Sequence, residues 1–410
     1  MGKTILEKIF SKHTDSAFKP GDTIWLNIDV RSARDFGGAN VVANLKREYS
    51  DGNYLDDPSK TFFTFDCVSP ANTIPYAENQ QRARVFAREQ NTHLYDVGSG
   101  IGTHILIEDG HVRPGMTAVG TDSHFNILGA IGAFGQGMGD RDIAFAFRTG
   151  KVWFEVPPTV RINLEGIPKN PLVSAKDVVL KLLERFGASG LLGKVAELYG
   201  DYIDTIGLDE RITIGSMGTE LGLISLVIPP DDILKQDLAR WHSGEINSIV
   251  SDPNANYLEE YTVDISNLEP LIAAPLAPHN VHPVSEFAGQ QVDSVFVGSC
   301  TGGRYTDLKI LADIVSEGIA PNINLRVVPA TRRTLDLILR EGIYGKIFEA
   351  GGTVSHAACG GCASGQIGMT GKGEVQVSTG NRNFKGKQGN GETYLASSII
   401  AAHVATRGVL

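Results

Sequence analysis

SVFVGSCTGGRYTDLKILADIVSEGIAPNINLRVV, residues 294–328, is the stretch that decides the fold. Ser294–Val297 is a short apolar run rich in β-branched residues. Asp307–Val315 repeats its apolar residues at helical spacing, and Asn324–Val328 returns to a strand pattern. A second helical pattern, Thr334–Leu339, follows. Strands alternating with helices at this spacing predict βαβ units and a parallel sheet. Cys300 lies just past the first strand, where open α/β sheets gather their ligands. The glycines of Thr301-Gly302-Gly303 let the backbone approach such a ligand closely.

The pattern extends outward from this unit. Ser174–Phe186 is predicted as a helix with Ser174 and Asp177 as a capping box. Tyr394–Val404 is Ala-rich and predicts a buried helix, and Gly129–Gly139 a tightly packed turn and helix. The Gly98, Gly100, Gly102 cluster is too common a pattern to define a phosphate loop. Prolines at 157–158 and 275–278 mark composition shifts. They divide the chain into three units, 1–157, 158–278 and 279–410. A chain of 410 residues exceeds one ordinary core. Its net charge of −10 argues against a nucleic-acid surface, which needs clustered Lys and Arg. No apolar run reaches the roughly 18 residues of a spanning helix. The charged N-terminus lacks the apolar stretch of a signal peptide. A cytoplasmic chain is expected.

Four cysteines in this length are no disulfide scaffold, so clustered ones point to metal or catalysis. Cys359-Gly360-Gly361-Cys362 is a CxxC, with Cys300 upstream. Three thiolates do not complete a zinc site or a four-cysteine cluster. They do suffice for a four-iron cluster with one open, Lewis-acidic iron. The competing reading is two unrelated buried cysteines and a redox CxxC. Asp122-Ser123-His124 sets a carboxylate two residues from an imidazole, and His104 follows the glycine-rich approach. A carboxylate fixes a histidine's tautomer and raises its basicity. Read alone, the structural reading wins: His104 and His124 are hydrogen-bonded residues of the scaffold. In the basic segment 381–389, Arg382 suits a bidentate carboxylate clamp and Lys387 a point charge. A solvated basic loop is the plainer alternative.

Taken together, three separated motifs resemble the aconitase superfamily of iron–sulfur hydro-lyases. They are Val119-Gly120-Thr121-Asp122-Ser123-His124, Gly298-Ser299-Cys300-Thr301 with the CxxC, and Val377-Ser378-Thr379-Gly380-Asn381-Arg382-Asn383-Phe384. Within it they are most similar to the large subunits of 3-isopropylmalate dehydratases, nearly end to end. The resemblance implies an aconitase-like α/β fold of three α/β/α domains around a central cleft. It implies a [4Fe–4S] cluster on Cys300, Cys359 and Cys362. It sets His104 and His124 beside the open iron, paired with Asp122 and Glu220 respectively. Arg382, Lys387, Ser123 and Arg34 are then expected at the substrate, a small 2-hydroxy dicarboxylate such as 3-isopropylmalate, dimethylmalate, citramalate or homoaconitate.

The resemblance places the base that removes the carbon-bound proton on a swivel domain, absent here and carried by a separate small subunit. An iron- or oxygen-sensing protein of the same fold is the non-catalytic alternative. Five departures stand out. Asp66-Cys67 replaces an Asp–His pair, and Ser216 and Gly302 replace asparagines. Lys387 replaces an arginine, and Arg34, before Asp35, replaces a Gln or His.

Overall fold

A computed structural model describes residues 2–242, 246 and 248–410. Three parallel-stranded sheets organise the described residues. The first has five strands in the order His93–Tyr95, Thr61–Thr64, Val30–Arg34, Thr117–Gly120, Phe134–Gly137, all parallel. The second has four parallel strands, Ser225–Val227, Val195–Tyr199, Thr159–Glu165 and Glu260–Asp264. The third has seven. Its parallel part runs Glu392–Leu395, Val375–Ser378, Ser294–Val297, Asn324–Val327, Thr353–Val354. An antiparallel ribbon, Thr23–Asn27 with Lys151–Glu155, completes the strands.

The 294–328 unit forms as its periodicity predicts. Tyr305–Ile314 is the crossover helix between the parallel strands Ser294–Val297 and Asn324–Val327. Ala175–Phe186 begins at Ser174, whose hydroxyl accepts from Lys176 N while Asp177 reaches back to Ser174 N at 2.8 Å. Three expectations need correction. Tyr394 and Leu395 belong to a strand, and the helix starts only at Ser398, capped by Ser397. A short apolar run does not by itself distinguish strand from helix. Gly129–Gly139 holds the end of a 3-10 turn, Phe125–Ile131, and then the strand Phe134–Gly137, with no helix before Asp140. The prolines at 275–278 mark a hairpin rather than a domain edge. Leu271–Ala273 and Val281–Pro283 pair antiparallel across them and join the third sheet.

Two close approaches lock the first sheet to the third. Gly100, with φ +106°, bridges to Thr331, and a Cβ there would lie 2.4 Å from Ala330 O. Ile101 N donates to Ala330 O and Arg332 N to Ser99 O. The glycine cluster therefore serves backbone contact between units. Beside it the buried Arg304 joins three parts of the chain. It donates from Nε to Asp209 at 2.8 Å and from Nη1 to Glu108 at 2.5 Å, with its plane near the Trp241 ring.

Asp35 fixes a second critical segment. Its carboxylate accepts from the backbone N–H groups of Asp66, Cys67 and Val68 at 2.9–3.2 Å. Tyr76 Oη and Gln80 Nε2 donate to the same carboxylate. The loop that follows the strand Thr61–Thr64 thus takes its shape from one buried anion.

Both anchors are testable. Removing one member of a buried ion pair leaves an uncompensated charge, so Arg304→Ala is expected to lose about 3–5 kcal/mol in urea unfolding. Asp35→Asn keeps the volume but turns an acceptor into a donor toward those amides. A loss of about 2–4 kcal/mol is expected. A variant as stable as the parent would mean the amides find other acceptors.

Candidate active site

Most residues of the predicted site sit just beyond the carboxyl end of a parallel strand, the position where such sheets bind ligands. From the first sheet, Arg34 ends the strand Val30–Arg34, Asp66 and Cys67 follow Thr61–Thr64, and Asp122, Ser123 and His124 follow Thr117–Gly120. From the third, Cys300 follows Ser294–Val297, the CxxC follows Thr353–Val354, and Arg382 follows Val375–Ser378. Glu220 arrives from the loop after the helix Leu208–Ser216. The structure brings all of these together.

The three cysteines converge. The thiols of Cys300 and Cys359 hydrogen-bond each other, and Cys362 Sγ lies 3.0 Å from Ser299 Oγ within electrostatic reach of Cys300. The Cys359 thiol, helped by His124 and Arg34 and working against burial, leaves Cys300 on the acidic side of its usual range. Ser299 holds a left-handed backbone, φ +69°, which turns the chain sharply into Cys300. Cys67 lies on the adjoining loop, since Cys359 N donates to Asp66 O at 2.9 Å. Its buried sulfur groups with the carboxylates of Asp35 and Asp66. Burial, reinforced by those two carboxylates, raises the Cys67 thiol well above its ordinary pKa.

The histidines differ in environment. His124 Nε2 meets Glu220 Oε1 at 3.0 Å. Burial opposes the imidazolium, but the Glu220 carboxylate outweighs it and the His124 pKa is raised. Burial, with the positive charge of Arg304, drives His104 down to about 3, so its ring is neutral. The Cys300 backbone lies against that ring, Thr103 Oγ1 is 3.4 Å from Nδ1, and Nε2 is buried without a partner. The expected His104–Asp122 pair does not form. Asp122 caps the His124 N–H at 2.9 Å and takes Arg34 Nη1 at 2.9 Å.

Arg34, expected at substrate, is turned inward. Besides Asp122 it donates to Asp66 Oδ1 from Nε and Nη2, and Nη2 lies 2.9 Å from Cys359 Sγ. The Asp66 carboxyl nonetheless rises to about 6, because burial outweighs that arginine. Arg382 donates to Glu220 Oε1 at 2.7 Å and to Ser123 Oγ at 3.3 Å. Lys387 Nζ donates to the carbonyl of Cys362, at 2.8 Å.

Other departures have physical reasons. A Cβ at Gly302 would fall 2.1 Å from Thr379 Oγ1, so no side chain fits there. Ser216 Oγ donates to its own helix, at Thr213 O. Its carbonyl accepts from Asn381, whose Oδ1 takes Ser299 Oγ and Thr301 Oγ1. Sequence reasoning missed Asp35, Ser299, Asn381 and the buried Lys176. For Lys176 a signal existed: it precedes Val179, Leu180 and Leu183 by three, four and seven residues, on the apolar stripe of its helix.

The donor set is chemically suited to a four-iron cluster. Three thiols converge, Cys67 lies in a separate carboxylate group, and two buried atoms, His104 Nε2 and Glu220 Oε2, lack partners. Held by three thiolates, such a cluster would keep one iron open to supply Lewis-acid chemistry.

Comparison with known proteins agrees in fold and family. The Aconitase family (aconitate hydratase) model matches residues 7–291 and 285–408. The chain is 40% identical over 413 residues to a 3-isopropylmalate dehydratase large subunit 1 of Methanopyrus kandleri, covering 100% of this chain and 98% of that protein. A probable methanogen homoaconitase large subunit of Methanosarcina mazei is 38% identical over 383 residues, covering 93% and 97%. The crystal structure of Thermococcus kodakaraensis aconitase X superposes with a TM-score of 0.54 at 12% identity, over 99% of this chain and 92% of that one. Fold and sequence agree, and the chain is a hydro-lyase belonging to the aconitase family.

Proposed function

We propose that the chain is the cluster-bearing large subunit of a two-chain hydro-lyase that dehydrates or isomerises a small 2-hydroxy dicarboxylate, 3-isopropylmalate or a substituted malate like it. One observation carries this reading. Cys300, Cys359 and Cys362 gather on one side of a network in which His124, close to Cys300, leans on Glu220, and Glu220 in turn holds Arg382. The relatives named as large subunits of dehydratases and homoaconitases support it.

Cys300, Cys359 and Cys362 would hold the [4Fe–4S] cluster, which when bound supplies a Lewis acid for the substrate hydroxyl. Arg382, held by Glu220 and Ser123, would clamp one carboxylate, and Lys387 would attract the second. Glu220 raises the His124 pKa and so favours its protonated form, which suits that ring to protonate the departing hydroxyl. This compensates for a thiol, Cys67, at a position where the family resemblance expects a histidine. His104, held neutral, serves as an orienting hydrogen-bond partner. The network of Arg34, Asp66 and Asp122 fixes the wall behind them and touches Cys359.

A base for the carbon-bound proton is expected from the small swivel-domain subunit. Exposed apolar side chains near the site residues support such a partner: Phe36 on the helix that follows Arg34, Phe384 two residues after Arg382, and Leu276, whose N–H meets Asn383 O. No described helix is long and apolar enough to cross a membrane. A cytoplasmic enzyme is the reading that goes with this.

Two measurements test the proposal. Anaerobically prepared chain should contain iron and sulfide, and Cys300→Ser should lose most of both; full iron in that variant would refute the ligand set. The chain alone should turn over slowly, because a positioned base contributes typically 10²–10⁴-fold. Adding its small subunit should restore dehydration, and full turnover without it would count against the two-chain reading.

A further inference from the structure

Lys176 is an unusual residue in this fold. Its ammonium is buried, with the residue 2% exposed, in the helix Ala175–Phe186 of the second unit. Yet no carboxylate lies within 4 Å of it among the described residues, unlike the buried Arg34 and Arg304. Every partner is neutral: Gly380 O at 2.7 Å, Thr301 Oγ1 at 3.3 Å, Thr379 O at 3.4 Å and Met217 Sδ at 3.7 Å. A buried charge without a counter-charge is strongly unfavourable.

The partners show where its missing negative charge belongs. Thr301 follows Cys300, and Thr379 and Gly380 precede Asn381 and Arg382. The strongest charged neighbours of the ammonium are Glu220 and then Cys362. Glu220 is already occupied by His124 and Arg382. The carboxylates of Asp177 are taken by Ser174 and Leu271 N, and Asp307 by Ser398. Burial accordingly brings the lysine down to about 8, against the pull of these anions.

We propose that Lys176 is a positioning residue and built-in counter-cation. It lies between the Cys300 loop and the Arg382 loop and waits for negative charge that arrives with the thiolate-bound cluster and the dicarboxylate. This rests on the cluster reading above. Three thiolates on a doubly charged cluster leave one net negative charge, and reduction adds a second. A fixed cation close by favours both cluster retention and the reduced state.

The test separates a counter-charge from an ordinary structural lysine. Lys176→Gln keeps a donor for the carbonyls but removes the charge, and Lys176→Met also removes the donor. Thermal melting is compared for cluster-free and cluster-loaded full-length chain. For a counter-cation, cluster-free Lys176→Gln melts no lower than cluster-free wild type. The rise in melting temperature on cluster loading shrinks, and the cluster midpoint potential moves negative. Lys176→Met should behave the same way, so either variant serves if the other does not fold. If both cluster-free variants melt well below wild type, the lysine is structural and the proposal fails. An unchanged potential and an unchanged loading effect also overturn it. Wild type that takes up no iron or sulfide overturns the cluster reading itself, and this inference with it.

Discussion

Arg304 is where the first, second and third units of the chain meet. A guanidinium in a dry interior must find anions, and this one finds Glu108 from the first unit and Asp209 from the second. Thr331 Oγ1 also donates to Glu108, which ties the same carboxylate to the end of the third unit's sheet. Satisfying these groups fixes how the carboxyl edges of the first and third sheets face each other. The site depends on that placement, because Cys300, Cys359 and Cys362 come from one edge and its histidines from the other. The same parts of the chain also share one apolar cluster, with Ile101 and Leu106, Leu208 and Ile212, and Ala330 packed together, so charge pairing and apolar burial act at one place.

Within that frame, carboxylates do most of the shaping. Asp35 holds three consecutive amides, Asp122 caps His124, and Glu220 holds both His124 and Arg382. Each anion has several donors, so their side chains have little freedom to reorient. Such preorganisation matters for a reaction in which charge develops at fixed atoms. It also separates two chemically identical rings: His124 leans on an anion, while His104 lies near the positive Arg304 and no anion holds its ring.

Much of this was legible in the sequence for definite reasons. The 294–328 unit declares itself because helix and strand periods differ, and the cysteine spacing is rare enough to carry a specific resemblance. Tyr394 and Leu395 were misassigned because a few apolar residues fit either period. The prolines at 275–278 mark a turn, and a turn reads alike whether it ends a domain or joins two paired strands. The inward turn of Arg34 and the embrace of the 66–68 amides by Asp35 depend on chain segments far apart in sequence. No local pattern encodes them. Lys176 was visible as a charge on an apolar stripe, but its meaning required its neighbours.

The contact between Gly302 and Thr379 binds the histories of those two positions. A Cβ at 302 meets the Thr379 hydroxyl head-on, while that hydroxyl also holds the Gly298 backbone through its N–H and its carbonyl. Restoring an asparagine at 302 alone would break the turn before Cys300. Shortening Thr379 alone would free space but abandon that turn. The two sites are therefore epistatic: substitutions at either are expected to combine non-additively.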